Sequence, residues 1–155
     1  MHKEWLEFAA MDLDSAQFLL GMRPVPVEII CYHCEQAAEK LLKAVLVAAD
    51  VEPPKTHDLI QLCKKCAELD EEYEALADAC IELSPYGVQV RYPSNLDLNE
   101  DDMQCALNMC RCIDAAVCDV TRSVSKMTEI ERRGGKRWDK PKKVGKSRDC
   151  RGGKF

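Results

Sequence analysis

The sequence predicts an all-α protein, an up-and-down bundle of four main helices plus one shorter helix. Apolar residues recur at three- and four-residue steps through most of the chain, which is the spacing of amphipathic helices. Prolines and short polar segments separate these stretches, and no pair of alternating segments predicts a β-hairpin. With 155 residues, 46% of them hydrophobic, the chain is long enough for one domain with a buried core.

The first predicted helix spans Lys3–Met22. It ends before Pro24, because a proline disfavours helical backbone in the residue that precedes it. The apolar residues of this helix recur on one face: Leu6, Ala9, Leu13, Ala16 and Leu20. The second predicted helix, Val27–Ala49, is apolar around most of its circumference, and Pro53 and Pro54 interrupt the chain after it. A helix of this kind must lie inside the bundle.

Two helices follow the prolines. We expect one over His57–Glu68 with Thr56 as its N-cap, because threonine is a favoured capping residue. The shorter helix is predicted over Glu71–Leu83, with Asp70 as its cap.

The longest predicted helix spans Glu100–Arg132. Asn99 and Asp102 have the spacing of a capping box, with aspartate in place of the usual glutamate. From Met103 to Met127, apolar residues recur at steps of three and four, which favours packing within a bundle over a coiled-coil seam between two chains.

Charge divides the chain into two parts. Residues 1–131 contain 11 Lys/Arg and 25 Asp/Glu, whereas residues 132–155 contain 11 Lys/Arg and 2 Asp/Glu. We therefore predict a helical domain over residues 1–132 and a disordered basic tail over residues 133–155, in which Trp138 is the main large apolar residue. The tail could bind RNA, serve solubility, or fold onto the acidic domain of its own chain or of a partner.

The apolar runs are short. The longest, Ala44–Ala49, cannot span a bilayer, and acidic residues occupy the N-terminal region where a signal peptide has an apolar run. These features predict a cytoplasmic protein without a membrane segment.

Ten cysteines are present, and nine of them fall in the predicted helices. Two CxxC pairs, Cys31/Cys34 and Cys63/Cys66, have the spacing of zinc ligands. Both pairs lie in the middle of apolar helices, where cysteine behaves as a small core residue. We therefore predict neither a metal site nor a cofactor.

One polar stripe runs along the second helix. At about 100° per residue, Tyr32, Gln36, Glu39 and Lys43 line up, with Lys40 at the edge. Glu39 and Lys43 can form a surface ion pair of i,i+4 spacing. Alternatively, the stripe faces a pocket or a partner, and its lysines converge with Arg91 on a phosphate.

Three motifs in this region resemble the HEPN domain family (higher eukaryotes and prokaryotes nucleotide-binding). They are Gln36-Ala-Ala-Glu39-Lys40-x-x-Lys43-Ala44, Thr56-His57-Asp58-Leu59 and Arg91-Tyr92-Pro93. The resemblance covers residues 4–130. It implies a compact helical bundle, usually dimeric, that is associated with nucleotides, RNA or toxin–antitoxin pairs.

Candidate ligand-binding or interface residues follow from the stripe and the motifs. They are Tyr32, Gln36, Glu39, Lys40, Lys43, Thr56, His57, Arg91 and Tyr92. His57 follows the expected helix cap, where it either packs locally or helps to form a site.

A catalytic role is not expected. Ribonuclease members of the family carry an arginine and, after four to six intervening residues, a histidine, and Arg91 is followed by no histidine. RNA cleavage without a metal needs such a proton donor or acceptor. We therefore predict a non-catalytic nucleotide- or partner-binding module of a nucleotidyltransferase-linked or toxin–antitoxin system. The alternative is a ribonuclease toxin that uses His57 and Arg91.

The expected partners follow the resemblance. We predict a homodimer that forms through the second and fifth helices. A small nucleotidyltransferase is the expected protein partner, and a nucleotide or RNA is the expected ligand.

Overall fold

The computed structural model describes residues 1–88 and 97–132, with side chains described to Asp119. Its elements are α1 (His2–Leu19), α2 (Val27–Ala48), α3 (Leu59–Leu69), α4 (Ala77–Leu83) and α5 (Glu100–Arg132). Two 3₁₀ segments, Glu71–Leu76 and Ser84–Gly87, flank α4. The predicted all-α bundle is confirmed, and these described residues contain no strand.

The beginning of α3 differs from the prediction. The N-cap is Asp58, whose Oδ1 accepts hydrogen bonds from the backbone N–H groups of Ile60 at 2.9 Å and Gln61 at 3.2 Å. Thr56 Oγ1 instead accepts from the N–H of Asp58 at 3.1 Å, in a local turn. Thr56 was therefore wrong as the cap, because threonine and aspartate both satisfy free N–H groups and sequence alone does not choose between them. His57 stands before the helix.

The predicted fourth helix is interrupted. Its first half is the 3₁₀ segment Glu71–Leu76, and only Ala77–Leu83 is α-helical. Asp70 caps the segment as expected, since its Oδ1 accepts from the N–H of Glu72 at 3.0 Å.

A reciprocal cap begins α5, as predicted. Asn99 Oδ1 accepts from the N–H groups of Asp101 at 2.8 Å and Asp102 at 3.1 Å. In return, Asp102 Oδ2 accepts from the N–H of Asn99 at 2.9 Å. These bonds satisfy donors at the start of the helix that have no intrahelical partner.

The centre of the bundle is α2, which packs against α1, α3, α4, α5 and the 3₁₀ segment Ser84–Gly87. Thirteen of its 22 residues are buried. It runs antiparallel to α1, because Trp5 lies near Lys43 whereas Asp12 lies near His33. Since its own chain covers most of α2, this helix offers little surface to a second copy, and the expected dimer contact through α2 and α5 stays a prediction.

The end of α2 turns sharply. Asp50 has a φ of 57°, which is uncommon outside glycine, and the N–H of Val51 donates to the carbonyl of Leu46 at 2.9 Å. This turn directs the chain into Pro53 and Pro54, which line a cavity together with residues from the end of the helix.

The cysteines lie where the helix pattern predicts. Six of the nine in the described part of the chain are buried, while Cys105 and Cys112 are exposed. Burial raises the pKa of Cys31 and Cys66 to about 12, because the thiolate would lose its hydration. Within the residues that the structure describes, no group of three or more His, Cys, Asp or Glu side chains is placed to hold a metal ion. None of the described helices is long and apolar enough to cross a membrane.

The thiol environments predict selective alkylation. With iodoacetamide at pH 8 under native conditions, we expect Cys105 and Cys112 to react within minutes. Cys31 and Cys66 should stay unmodified, because their raised pKa leaves almost no thiolate at that pH and burial blocks access. Peptide mapping by mass spectrometry measures the labelling, and denatured protein is the control in which every site reacts. Rapid native labelling of Cys66 would contradict the packing of α3.

Candidate functional site

A charged pair on α2 is buried within the bundle. Glu39 and Lys43 are 5% and 7% exposed, and Lys43 Nζ donates to Glu39 Oε1 at 2.7 Å. The interpretation of these residues as a surface ion pair is therefore wrong. Because burial removes water from both groups, each depends on the other for compensation of its charge.

His57 completes this group from the segment before α3. Its Nδ1 lies 3.0 Å from Glu39 Oε2 and 3.2 Å from Glu39 Oε1, while 77% of its side chain is exposed. A carboxylate partner favours a proton on Nδ1, which leaves Nε2 available to another molecule. We call Glu39, Lys43 and His57 the central cluster. All three are among the site residues predicted from the sequence, and the fold brings them together.

A cavity of about 730 Å³ adjoins the central cluster. Lys43 lines it, and Lys43 Nζ lies 5.5 Å from the ring centroid of Trp5, at the distance of a cation–π contact. The other walls come from the start of α1, the end of α2 and the turn after it: Met1, His2, Val47, Asp50, Val51, Glu52, Pro53, Pro54 and Lys55. A buried cation and an aromatic ring thus border one cavity.

Lys40 belongs to a different group. Its Nζ pairs with Oδ2 of Asp12 on α1, and the Oδ1 of the same carboxylate lies 2.9 Å from His33 Nδ1. The side chains of Asp12, His33 and Lys40 are only 14%, 25% and 24% exposed. Asp12 and His33 are not among the site residues predicted from the sequence. The available signal was an acid on the buried face of the first helix, between Ala9 and Ala16 at helical spacing.

A third polar group lies near the start of α2. Glu35 is 1% exposed, and Gln36 Nε2 donates to Glu35 Oε2 at 2.9 Å. Gly87 approaches so closely that a Cβ there would lie 2.6 Å from Glu35 Oε1. The Tyr32 ring lies 6.0 Å from that of His33. The stripe therefore divides among three groups instead of forming one site.

Two predicted site residues, Arg91 and Tyr92, lie outside the described residues. Their expected meeting with the lysines of α2 stays a prediction. Thr56 takes part in the local turn before α3, where it bonds the backbone of Asp58.

Fold and site together define a helical domain whose central helix carries buried charged groups beside an open cavity. This chain belongs to the HEPN domain family, since the family model for the HEPN domain matches residues 2–119. The resemblance proposed from the motifs is thereby confirmed. Membership places the chain among nucleotide- or RNA-related modules.

A solved structure supports the same fold. The chain is similar to TT1696 from Thermus thermophilus, with a TM-score of 0.63 and 27% sequence identity. The match covers 76% of this chain and 96% of that one. No curated protein gives a significant match.

The contact between Gly87 and Glu35 predicts a specific sensitivity. We expect Gly87→Ala to lower the free energy of unfolding by about 1–3 kcal/mol, because the new methyl group forces a buried carboxylate to move. Gly21→Ala is the matched control, since the nearest atom to its Cβ is a carbonyl oxygen at 3.5 Å. Urea unfolding followed by circular dichroism measures both variants. Equal effects at the two positions would contradict the described packing.

The buried pair predicts non-additive mutations. We expect Lys43→Met to destabilise the fold by about 3 kcal/mol, because it leaves the buried carboxylate of Glu39 without its ammonium partner. The double variant Glu39→Met/Lys43→Met should recover most of that loss, since neither charge remains buried. Denaturant unfolding of the single and double variants measures the coupling energy. Simple additivity would show that the two groups act independently.

Proposed function

We propose that this chain is a non-catalytic binding module whose ligand is a nucleotide, held at the central cluster and in the adjoining cavity. The observation that carries the proposal is the position of Lys43, a buried cation at the edge of a cavity that the Trp5 ring also lines. A nucleotide combines an anionic phosphate with a flat base. Both halves have a counterpart on these walls.

The phosphate would meet cations. The ammonium of Lys43 has three donors, one of which is used by Glu39 Oε1. Lys55 and His2 also line the cavity, together with the acids Asp50 and Glu52. Charge-assisted hydrogen bonds to phosphate are about twice as strong as neutral ones, which supports an anionic ligand.

The base would meet apolar walls. Trp5 offers an aromatic surface for stacking, and Pro53 and Pro54 line the same cavity. A volume of about 730 Å³ lies within the usual range for small-molecule pockets. These dimensions favour a mononucleotide over a long RNA strand.

The second candidate function is RNA cleavage. The Nδ1 of His57 lies beside a carboxylate, and this arrangement orients the imidazole of many general bases. Arg91 would be its partner in this hypothesis. Against it, Glu39 also carries an ion pair with Lys43, so the carboxylate already serves to compensate a buried charge.

We further propose a homodimer that works with a small nucleotidyltransferase in a toxin–antitoxin or nucleotide-linked system. The support is the family membership, because HEPN domains often dimerise. We also propose a cytoplasmic location, where nucleotides and RNA are available as ligands.

Calorimetric titration distinguishes the two candidate functions. With ATP, GTP, CTP and UTP as probes, we expect saturable binding that weakens about tenfold in Lys43→Met and in Trp5→Ala, through loss of a charged contact and of stacking. Lys64→Met is the matched control, because that lysine is exposed on α3, away from the cavity.

Incubation with RNA provides the second readout. We expect intact RNA with or without divalent ions. Degradation that disappears in His57→Ala would overturn the non-catalytic proposal in favour of the ribonuclease. Absence of binding to all four nucleotides by the folded protein would overturn the nucleotide site.

A further inference from the structure

A groove separates α3 from α4 on a side of the bundle that the central cluster does not use. Its volume is about 700 Å³, and its apolar lining comes from Ile60 and Ala67 on α3 and from Ala77 and Ile81 on α4. Ile81 is 51% exposed, although it is a large aliphatic residue. Cys63, Lys64, Glu68 and Glu74 complete the lining.

The surface around this groove is strongly acidic. Residues 68–82 contain seven aspartates and glutamates, all of them exposed: Glu68, Asp70, Glu71, Glu72, Glu74, Asp78 and Glu82. No lysine or arginine occurs from residue 66 to residue 88. An apolar groove with such a rim fits a basic segment that carries a large apolar side chain.

We propose that this groove binds the basic C-terminal segment, residues 132–155, of a second copy of the chain. That segment has 11 Lys/Arg and 2 Asp/Glu, whereas residues 1–131 carry an excess of 14 acids. It also contains Trp138, which Lys136, Arg137 and Lys140 surround in the sequence. Aromatic residues with basic neighbours are frequent anchors of protein interfaces.

The proposed homodimer favours a second copy as the source of this segment. Thirteen of the 22 residues of α2 are buried within its own chain, so that helix offers little surface for a dimer contact, whereas the groove between α3 and α4 is open. The basic segment of one copy and the acidic groove of the other then supply the contact between the two copies.

Reciprocal exchange of the two segments gives a closed symmetric dimer, in which each copy supplies one groove and one segment. The inference rests on the homodimer part of the proposed function and does not depend on nucleotide binding. A competing surface exists on α1, where Phe8, Met11 and Phe18 are exposed at helical spacing, followed by Met22. Glu4, Glu7 and Asp14 accompany this stripe, so that two copies of it would bring acids together.

Sedimentation analysis of the full chain tests the proposal. We expect a dimer whose Kd rises about tenfold in the groove variant Glu68→Lys/Glu74→Lys and in the tail variant Lys136→Glu/Arg137→Glu, because each juxtaposes like charges. An equimolar mixture of these two variants should regain dimerisation, since each reversed surface then meets its complement. The matched control is Glu4→Lys/Glu7→Lys, which makes the same charge change on exposed residues of α1 and should leave Kd unchanged.

Tryptophan fluorescence gives an independent readout in the Trp5→Phe background, where Trp138 is the remaining tryptophan. We expect its emission to shift to shorter wavelength as the dimer forms, and Ile81→Ala to reduce that shift. A shifted emission in a monomer at every concentration would show binding in the same chain and overturn the proposal.

Other results would overturn it as well. One is a chain that stays monomeric. Another is a dimer that persists in the groove and tail variants but dissociates in Phe18→Glu. The third is a mixture of the groove and tail variants that fails to associate. Loss of RNA binding in the tail variant with an unchanged dimer would assign the segment to RNA instead. Nucleotide titration of the same variants separates these failures from failure of the nucleotide site.

Discussion

The enclosure of α2 is the constraint on which the rest of the structure depends. A helix covered by its own chain on most sides can keep charged residues only where another group compensates them, since an isolated buried charge is prohibitively unstable. Glu39 meets that condition twice, through Lys43 and through His57. The positions of α1 and of the segment before α3 are therefore tied to the polar residues of α2 as well as to its apolar ones.

The polar groups of α2 have different surroundings, and that difference is the reason for placing the proposed nucleotide site at one of them. Asp12 connects α1 to α2 by accepting from Lys40 and lying beside His33, which accounts for these groups structurally. The central cluster, in contrast, adjoins both a cavity and an aromatic ring. A nucleotide bound there would place its charge where the fold already stabilises a cation, so binding would need little rearrangement of the helices.

The helix pattern and the capping residues predicted the fold well. Contacts between different helices were harder to predict from the sequence. The spacing of Asn99 and Asp102 was sufficient to place the start of α5, because a cap is a local interaction. Residue preferences could not show that Asp58, and not Thr56, caps α3. The burial of Lys43 depends on neighbours that are distant in sequence. Periodicity showed which residues share a face of α2 but not that three different groups would divide that face between them.

The reciprocal cap at the start of α5 has a consequence for how this fold tolerates change. Because Asn99 and Asp102 each accept a hydrogen bond from the other's backbone N–H group, the capping bonds of the first turn come from four consecutive residues. Insertions or deletions upstream would then leave the register of the final helix intact. A change in chain length before this turn therefore need not repack the hydrophobic interior.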